Sequence, residues 1–238
     1  MCVDDGGPPV TLGRWAGGRS LWLTASSVVL TTAALYLWWW LPFDGPWAPI
    51  NEPRYVQMHE LLTIIGGATA LFGIQPRLDW VELQSPRPLA ALGTLAAGLI
   101  VALFAFLPLL VRWLWSVTDL YVAFMPAGSV FTDPRLLADL APPGYFVAFG
   151  CNIVAVLALA CLTTALVGRT FGPVSSILWF AALLVAQGHL GWNVLASVSG
   201  EGVPLAPSES DVAIATGALV VCLFAYYRSA AGARSVVG

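Results

Sequence analysis

The chain of 238 residues contains no lysine, and all ten of its cations are arginine. A P-loop requires a lysine at the β- and γ-phosphates, and Schiff-base catalysis requires a lysine amine, so the sequence excludes both chemistries from this chain. Charged residues of either sign make up 10% of the chain, whereas a soluble domain carries about 25%. Such a sequence cannot cover a water-facing surface, and it offers no basic patch to bind nucleic acid.

Cysteine and histidine are also scarce. The four cysteines are Cys2, Cys151, Cys161 and Cys222. None belongs to a C-x-x-C pair, so the sequence predicts neither a zinc site nor a disulfide framework. The two histidines, His59 and His189, have no cysteine or carboxylate at ligand spacing. We therefore expect no metal, no haem and no other cofactor.

Long apolar runs dominate the rest of the chain, in which 58% of residues are hydrophobic. A helix needs about 20 apolar residues to cross the hydrocarbon core of a bilayer. The runs are 20–41, 58–74, 89–111, 145–167, 174–196 and 212–227. They predict an all-α, polytopic membrane protein with about six transmembrane helices in one domain, 20–228. An N-terminal segment, 1–19, and a C-terminal tail, 229–238, flank it, and the first run is too long for a signal-peptide core.

Two weaker apolar segments, 117–131 and 134–140, lie between the third and fourth runs. Asp119 and Pro126 interrupt the first of them, and the second is short. Both are interpreted as interfacial or re-entrant pieces, and a seventh span is the alternative.

The placement of arginine predicts the orientation, because cytoplasmic loops carry an excess of cations. With six spans both termini lie on one side of the membrane. The arginines on that side are Arg14, Arg19, Arg77, Arg87, Arg169, Arg228 and Arg234, and those on the other are Arg54, Arg112 and Arg135. Seven arginines on one side against three on the other predict a protein of the cell membrane with both termini in the cytoplasm.

The connector between the second and third spans, RLDWVELQSPRP at 77–88, has a charge density that is unusual for this chain. Its apolar and charged residues fall near opposite faces of a short helix, and Trp80 suits the membrane boundary. Pro86 and Pro88 end that helix before the third span. The residues alone predict about two turns of amphipathic helix along the cytoplasmic surface, which could be an ordinary interfacial loop.

Six spans, cytoplasmic termini and this connector together resemble the permease subunits of type-2 ATP-binding-cassette exporters. The stretch 79–87, an acidic helix followed by a small residue, proline and a basic residue, is similar to the coupling helix of that family. The turn at 168–173 resembles the family's second cytoplasmic contact, and 11–20 is a compact version of its N-terminal amphipathic segment. The residues that the resemblance assigns to ATPase coupling are Arg77, Asp79, Trp80, Glu82, Arg87 and Arg169.

The resemblance implies a transport subunit that performs no covalent chemistry. Its partners would be a separate ATPase subunit, a second permease subunit of the same or a similar kind, and the lipid bilayer. Closure of the ATPase on ATP would move the coupling helix and shift the population between two arrangements of the spans. The apolar pathway favours a hydrophobic or amphipathic substrate such as a lipid, an antibiotic or a peptide.

Polar side chains inside the spans are candidates for the translocation path, because ionisable groups in a membrane are often functional. They are His59, Glu60, Gln187, His189 and Asn193. For the first two, the alternative is that they snorkel to the outer interface and form a local hydrogen bond. The other three could line a cavity or hydrogen-bond to a neighbouring helix. Asn152, in the fourth span, is interpreted as a packing residue.

Two other classes of function remain open from the sequence. One is a non-catalytic membrane scaffold or immunity-type protein. The other is an intramembrane hydrolase, for which Ser199 next to Gly200 lacks the flanking residues of a rhomboid-type serine site. Glu201 lies near that serine, and the only remaining base, His189, lies about three turns away on the preceding span.

Overall fold

The described residues form six helices. The structure, a computed structural model, describes residues 16, 19–38, 42–44, 55–75, 88–118, 143–168, 171–189 and 208–232. The helices are α1 (Leu21–Trp38), α2 (Met58–Ile74), α3 (Pro88–Val117), α4 (Pro143–Val167), α5 (Phe171–His189) and α6 (Glu209–Gly232). Each overlaps one of the six apolar runs, so the prediction of an all-helical fold built on those runs is confirmed for the described residues.

Four helices, α3 to α6, extend beyond the predicted runs, and α3 and α6 do so by the most. α3 continues six residues past residue 111, through Arg112 to Val117, because a single arginine between apolar residues does not interrupt a helix. α6 starts at Glu209 and passes residue 228 to end at Gly232. Ser208 caps its start, because its hydroxyl oxygen accepts the backbone N–H of Asp211 at 3.2 Å, and the Asp211 carboxylate in return accepts the backbone N–H of Ser208 at 3.0 Å.

A short antiparallel sheet connects α1 to α2 and was not expected from the sequence. It pairs β1 (Pro42–Asp44) with β2 (Tyr55–Gln57), with Phe43 opposite Val56. β2 runs directly into α2, so the sheet lies at the end of the bundle where α2 begins.

Consecutive helices run in opposite directions. Glu60 contacts Asn152 and Gly67 faces Leu157, so α2 and α4 run the same way. α6 shares that direction, because Ala215 packs near Cys151 at one end and Tyr226 reaches Gln75 at the other. We call the end that holds Arg19 and Gln75 end A, and the end that holds Met58 and Thr118 end B. The first and last described residues both lie at end A.

α1 and α2 pack closely through small and hydroxyl-bearing residues. Three hydrogen bonds join them: Ser20 N to Gly73 O at 2.9 Å, Thr24 Oγ1 to Ala70 O at 3.1 Å, and Ser27 Oγ to Gly66 O at 2.6 Å. Gly66 has no room for a side chain, because a Cβ there would overlap Thr31 Oγ1 and lie 2.9 Å from Phe104 Cε1. The small residues on α2 let the backbones approach closely enough for the α1 hydroxyls to reach carbonyl oxygens.

The core lies where α2, α3 and α4 meet. α3 contributes Val101, Phe104 and Leu107, and α4 contributes Phe149, Ile153 and Leu157, all at most 1% exposed. At end B, Trp115 of α3 donates to Tyr36 O at 3.4 Å, and the hydroxyls of Tyr36 and Thr118 share a hydrogen bond of 2.7 Å. These contacts hold α1 against the end of α3.

The outer surface of the described helices also carries many large apolar side chains. The exposed face of α3 carries large apolar side chains at three- and four-residue spacing: Leu95, Leu99, Leu103, Phe106, Leu110 and Trp113. A helix that is apolar on all faces suits a membrane span, and apolar surface on this scale is rare on soluble monomers. Three helical stretches are long and apolar enough to cross a membrane, namely Ala90–Val117, Phe146–Val167 and Glu209–Ser229. They are compatible with a membrane location, and the other three helices are apolar but shorter.

A glycine turn joins α4 to α5. Gly168 has a φ of 106°, a conformation that residues with a Cβ rarely adopt, and its N–H donates to Thr164 O at 3.1 Å. Gly172, at the start of α5, lies directly against Thr164, so the two helices are in contact from the turn onward. Residues 169 and 170 lie outside the described residues.

Candidate functional site

A buried polar cluster lies at end B, in the first turn of α2 and the facing turns of α4. We define it as His59, Glu60 and Asn152, which are 1%, 4% and 1% exposed. The side-chain nitrogen of Asn152 donates to Glu60 Oε1 at 3.0 Å. Asn152, which the sequence suggested was a packing residue, therefore joins α4 to α2 through a hydrogen bond to an acidic side chain 92 positions away in the chain.

Local sequence explains why these groups occupy one place. Glu60 lies in the first turn of α2, where a carboxyl interacts favourably with the positive end of the helix dipole. On α4, Phe146, Phe149 and Asn152 recur every three residues and so lie along one side of the helix. That side faces the start of α2.

Aromatic rings surround His59. Its imidazole meets the ring of Phe149 edge to face, with centroids 4.3 Å apart, and it lies 6.2 Å from the ring of Phe146 at a tilt. On the far side, the Arg112 guanidinium lies 6.0 Å from the Phe146 centroid, within the range of a cation–π interaction. Thr63, fully buried one turn further along α2, donates to the carbonyl oxygen of His59 at 2.6 Å.

The structure contradicts the alternative that His59 and Glu60 snorkel to water, since both side chains are buried, although Glu60 does accept a hydrogen bond, from Asn152. Both are enclosed because α3 and α4 extend past the start of α2 at end B, and the aromatic side chains of α4 cover His59. Two adjacent positions on a helix point about 100° apart, so both can be buried only where the helix has neighbours on two sides. The sequence shows the polar residues, but it does not show how many helices surround them.

The remaining candidates for the translocation path lie on or after α5. The backbones of Gln187 and His189 belong to the last turn of α5, which ends at end B, the same end as the buried cluster. Their side chains and the whole of Asn193 lie outside the described residues. Their participation in a path stays a prediction.

The residues assigned to ATPase coupling lie outside the described residues: Arg77, Asp79, Trp80, Glu82, Arg87 and Arg169. The helix ends that flank them are described. Residues 77–87 connect Gln75 to the start of α3 at Pro88, and Arg169 lies between Gly168 and Phe171. The coupling helix therefore stays a prediction, while the helix ends on either side of it, Gln75 and Pro88, are described.

Comparison of the chain with protein-family models, with curated proteins and with solved structures finds no match. The described part of the chain brings together no group of three histidine, cysteine, aspartate or glutamate side chains that could hold a metal ion. What the site offers is a carboxyl, an amide and an imidazole inside an apolar bundle. Those groups can hydrogen-bond a polar solute or bind one helix to another.

Proposed function

We propose that the chain spans a membrane six times, with both termini in the cytoplasm, and is the permease subunit of an ATP-driven exporter. A separate ATPase subunit would dock on residues 77–87 and on Arg169, and two permease subunits would enclose the path. The proposed substrate is hydrophobic or amphipathic.

The observation that carries this proposal is that both anticipated coupling segments connect helices at end A. α2 and α4 run in the same direction, as the pairs Glu60–Asn152 and Gly67–Leu157 require. The connection after α2 and the turn after α4 therefore emerge on one side of the bundle. An ATPase that touches two connections at once needs this arrangement.

A membrane setting agrees with the distribution of charge along the described helices. α1, α4 and α5 contain no Asp, Glu or Arg, and α3 contains Arg112 as its one charged residue. The charged residues of α6 lie near its ends, with Glu209 and Asp211 at end B and Arg228 at end A. Intramembrane charge is costly, so helices of this kind suit a bilayer.

The direct test is copurification from native membranes. We expect the tagged wild-type chain to bring down a soluble ATPase, and we expect Asp79→Ala/Glu82→Ala to lose that ATPase and its ATP hydrolysis. The reason is that the two carboxylates form the charged face of the predicted coupling helix. The matched control is Glu201→Ala/Glu209→Ala, which removes two carboxylates from the opposite predicted side and should retain the ATPase.

Two results would contradict the proposal. One is a wild-type chain that purifies with no ATPase under conditions that preserve its fold. The other is equal recovery of the ATPase with both double variants. The first result would favour the scaffold or immunity-type alternative.

A further inference from the structure

The C-terminal end of α2, just before the predicted coupling segment, is held by an arginine from outside the helix. Arg19 is 7% exposed, and its Nε donates to Ile74 O at 2.7 Å. The next residue, Ser20, donates its backbone N–H to Gly73 O at 2.9 Å. Carbonyls in the last turn of a helix have no partner within the helix, and a cation there also meets the negative end of the helix dipole. Arg19 therefore acts as a charged cap on α2.

The same point contacts two further helices. Gln75, 7% exposed, follows α2 and accepts a hydrogen bond of 3.4 Å from the hydroxyl of Tyr226 on α6. Arg19 Nη2 lies 3.8 Å from the position that a Cβ of Gly93 on α3 would occupy. The end of α2 is thus bonded to the segment before α1 through its backbone and to α6 through the Gln75 side chain, and the Arg19 that caps it lies beside α3.

We propose that Arg19 and Tyr226 are positioning residues that make the end of α2 a rigid joint between the coupling segment and the rest of the bundle. The joint consists of Arg19, Ile74, Gln75 and Tyr226. Without these contacts, a force applied at residues 77–87 would be absorbed by fraying of the last turn of α2, because helix ends open easily. With them, the displacement passes to α1 and α6. This proposal rests on the proposed function, and it identifies the residues through which movement of the coupling segment would reach the rest of the bundle.

Hydrogen exchange of the full-length protein in lipid nanodiscs tests the joint without any ATPase. In Arg19→Gln, the amides of residues 71–75 should exchange about tenfold faster or more, because a charge-assisted hydrogen bond to the helix end is lost. In Tyr226→Phe, which removes only a hydroxyl, they should exchange about two- to fivefold faster. Amides in the middle of α4 should keep their wild-type rates in both variants.

The matched control is Arg228→Gln, which removes the same charge at the same end of the bundle from an exposed position on α6. It should leave residues 71–75 at the wild-type rate. The joint is overturned if Arg19→Gln and Tyr226→Phe both exchange within twofold of wild type at residues 71–75. It is also overturned if Arg228→Gln gives the same acceleration as Arg19→Gln. If Arg19→Gln does not fold, Tyr226→Phe alone decides the outcome.

Transmission is tested in the complex with the copurified ATPase. ATP with vanadate should change exchange along α6 in the wild type, whereas Arg19→Gln and Tyr226→Phe should retain the ATPase and lose at least half of that change. An unchanged response of α6 in both variants would overturn transmission through the joint. Absence of an ATPase from the wild-type preparation is a distinct failure, since it contradicts the proposed function and leaves the exchange result at residues 71–75 standing.

Discussion

Gly66→Leu is expected to force α1 away from α2 and to destabilise the folded protein strongly. A Cβ alone at this position would overlap Thr31 Oγ1 and lie 2.9 Å from Phe104 Cε1, and leucine adds three more carbon atoms. Moving α1 away would also break the Ser27 hydrogen bond to Gly66 O. Overpacking of a tight core costs about 1–3 kcal/mol, and the loss of interhelical hydrogen bonds adds to it. We expect a fall in Tm on the order of 10 °C, or loss of the monodisperse peak in size-exclusion chromatography.

The control for this prediction is Gly217→Leu on α6. Nothing lies within 4 Å of a Cβ at Gly217, so leucine there meets open space and gains about 0.7 kcal/mol or more of helix propensity. Its Tm should stay within a few degrees of wild type.

A compensating pair makes the test sharper. Gly66→Ala should destabilise less than the leucine variant, and Thr31→Ala in the same chain should restore part of the loss, because Thr31 Oγ1 is the atom that the new Cβ overlaps. Equal melting of Gly66→Leu and Gly217→Leu would show that α1 does not pack on α2 as described.

The second large effect is expected in the buried pair of α2 and α4. Asn152→Leu removes the amide that donates to Glu60 Oε1 and should cost about 3 kcal/mol, because a carboxyl that is 4% exposed loses a hydrogen-bond donor. Glu60→Gln keeps an acceptor oxygen in the same place and should cost less than about 1 kcal/mol.

Glu60→Leu/Asn152→Leu completes a double-mutant cycle with the single variants Glu60→Leu and Asn152→Leu, and the double variant should be more stable than Asn152→Leu alone. Replacing both partners removes the acceptor together with its donor, so no buried carboxyl is left with a lost hydrogen bond. The measurement is thermal or SDS unfolding of the four purified proteins in detergent. A double variant whose loss equals the sum of the two single losses would contradict a direct interaction between the two side chains.

The same variants separate packing from a role in transport. Glu60→Gln retains the hydrogen bond to α4 but removes an ionisable group. If the pair only joins two helices, this variant behaves as wild type in ATP hydrolysis by the copurified complex. A folded Glu60→Gln protein with altered hydrolysis would place the carboxyl on the path, as the sequence predicted for Glu60.

Much of the fold could be predicted from the sequence because the signal is local. An apolar run of about 20 residues is a property of consecutive residues, and a helix is the structure that satisfies its backbone without outside partners. All six helices lie within or next to the predicted runs. The short sheet before α2 was missed because strands of three residues leave too little pattern to recognise, even with Tyr55 and Val56 present.

The partners of the polar residues could not be predicted, because each contact joins positions far apart in the chain. Arg19 was counted as a cytoplasmic charge from its position in the chain, whereas the structure shows it buried at end A and bonded to Ile74 O. Glu60 was interpreted as interfacial, yet it is enclosed and hydrogen-bonded to Asn152. Periodicity identifies the faces of a helix, but in a chain that is apolar on every face it does not reveal which face meets protein.

The sequence by itself determined the class of this protein: six apolar helices, no lysine chemistry, and too little charge for a water-facing surface. These features depend on composition and on the length and hydrophobicity of each apolar run, which can be read from the chain residue by residue. Only the tertiary structure decided that Glu60 of α2 bonds to Asn152 of α4, that Gly66 lies directly against Thr31 of α1, and that Arg19 caps α2. Those features depend on packing, in which a single Cβ or one hydrogen bond between distant residues selects the arrangement.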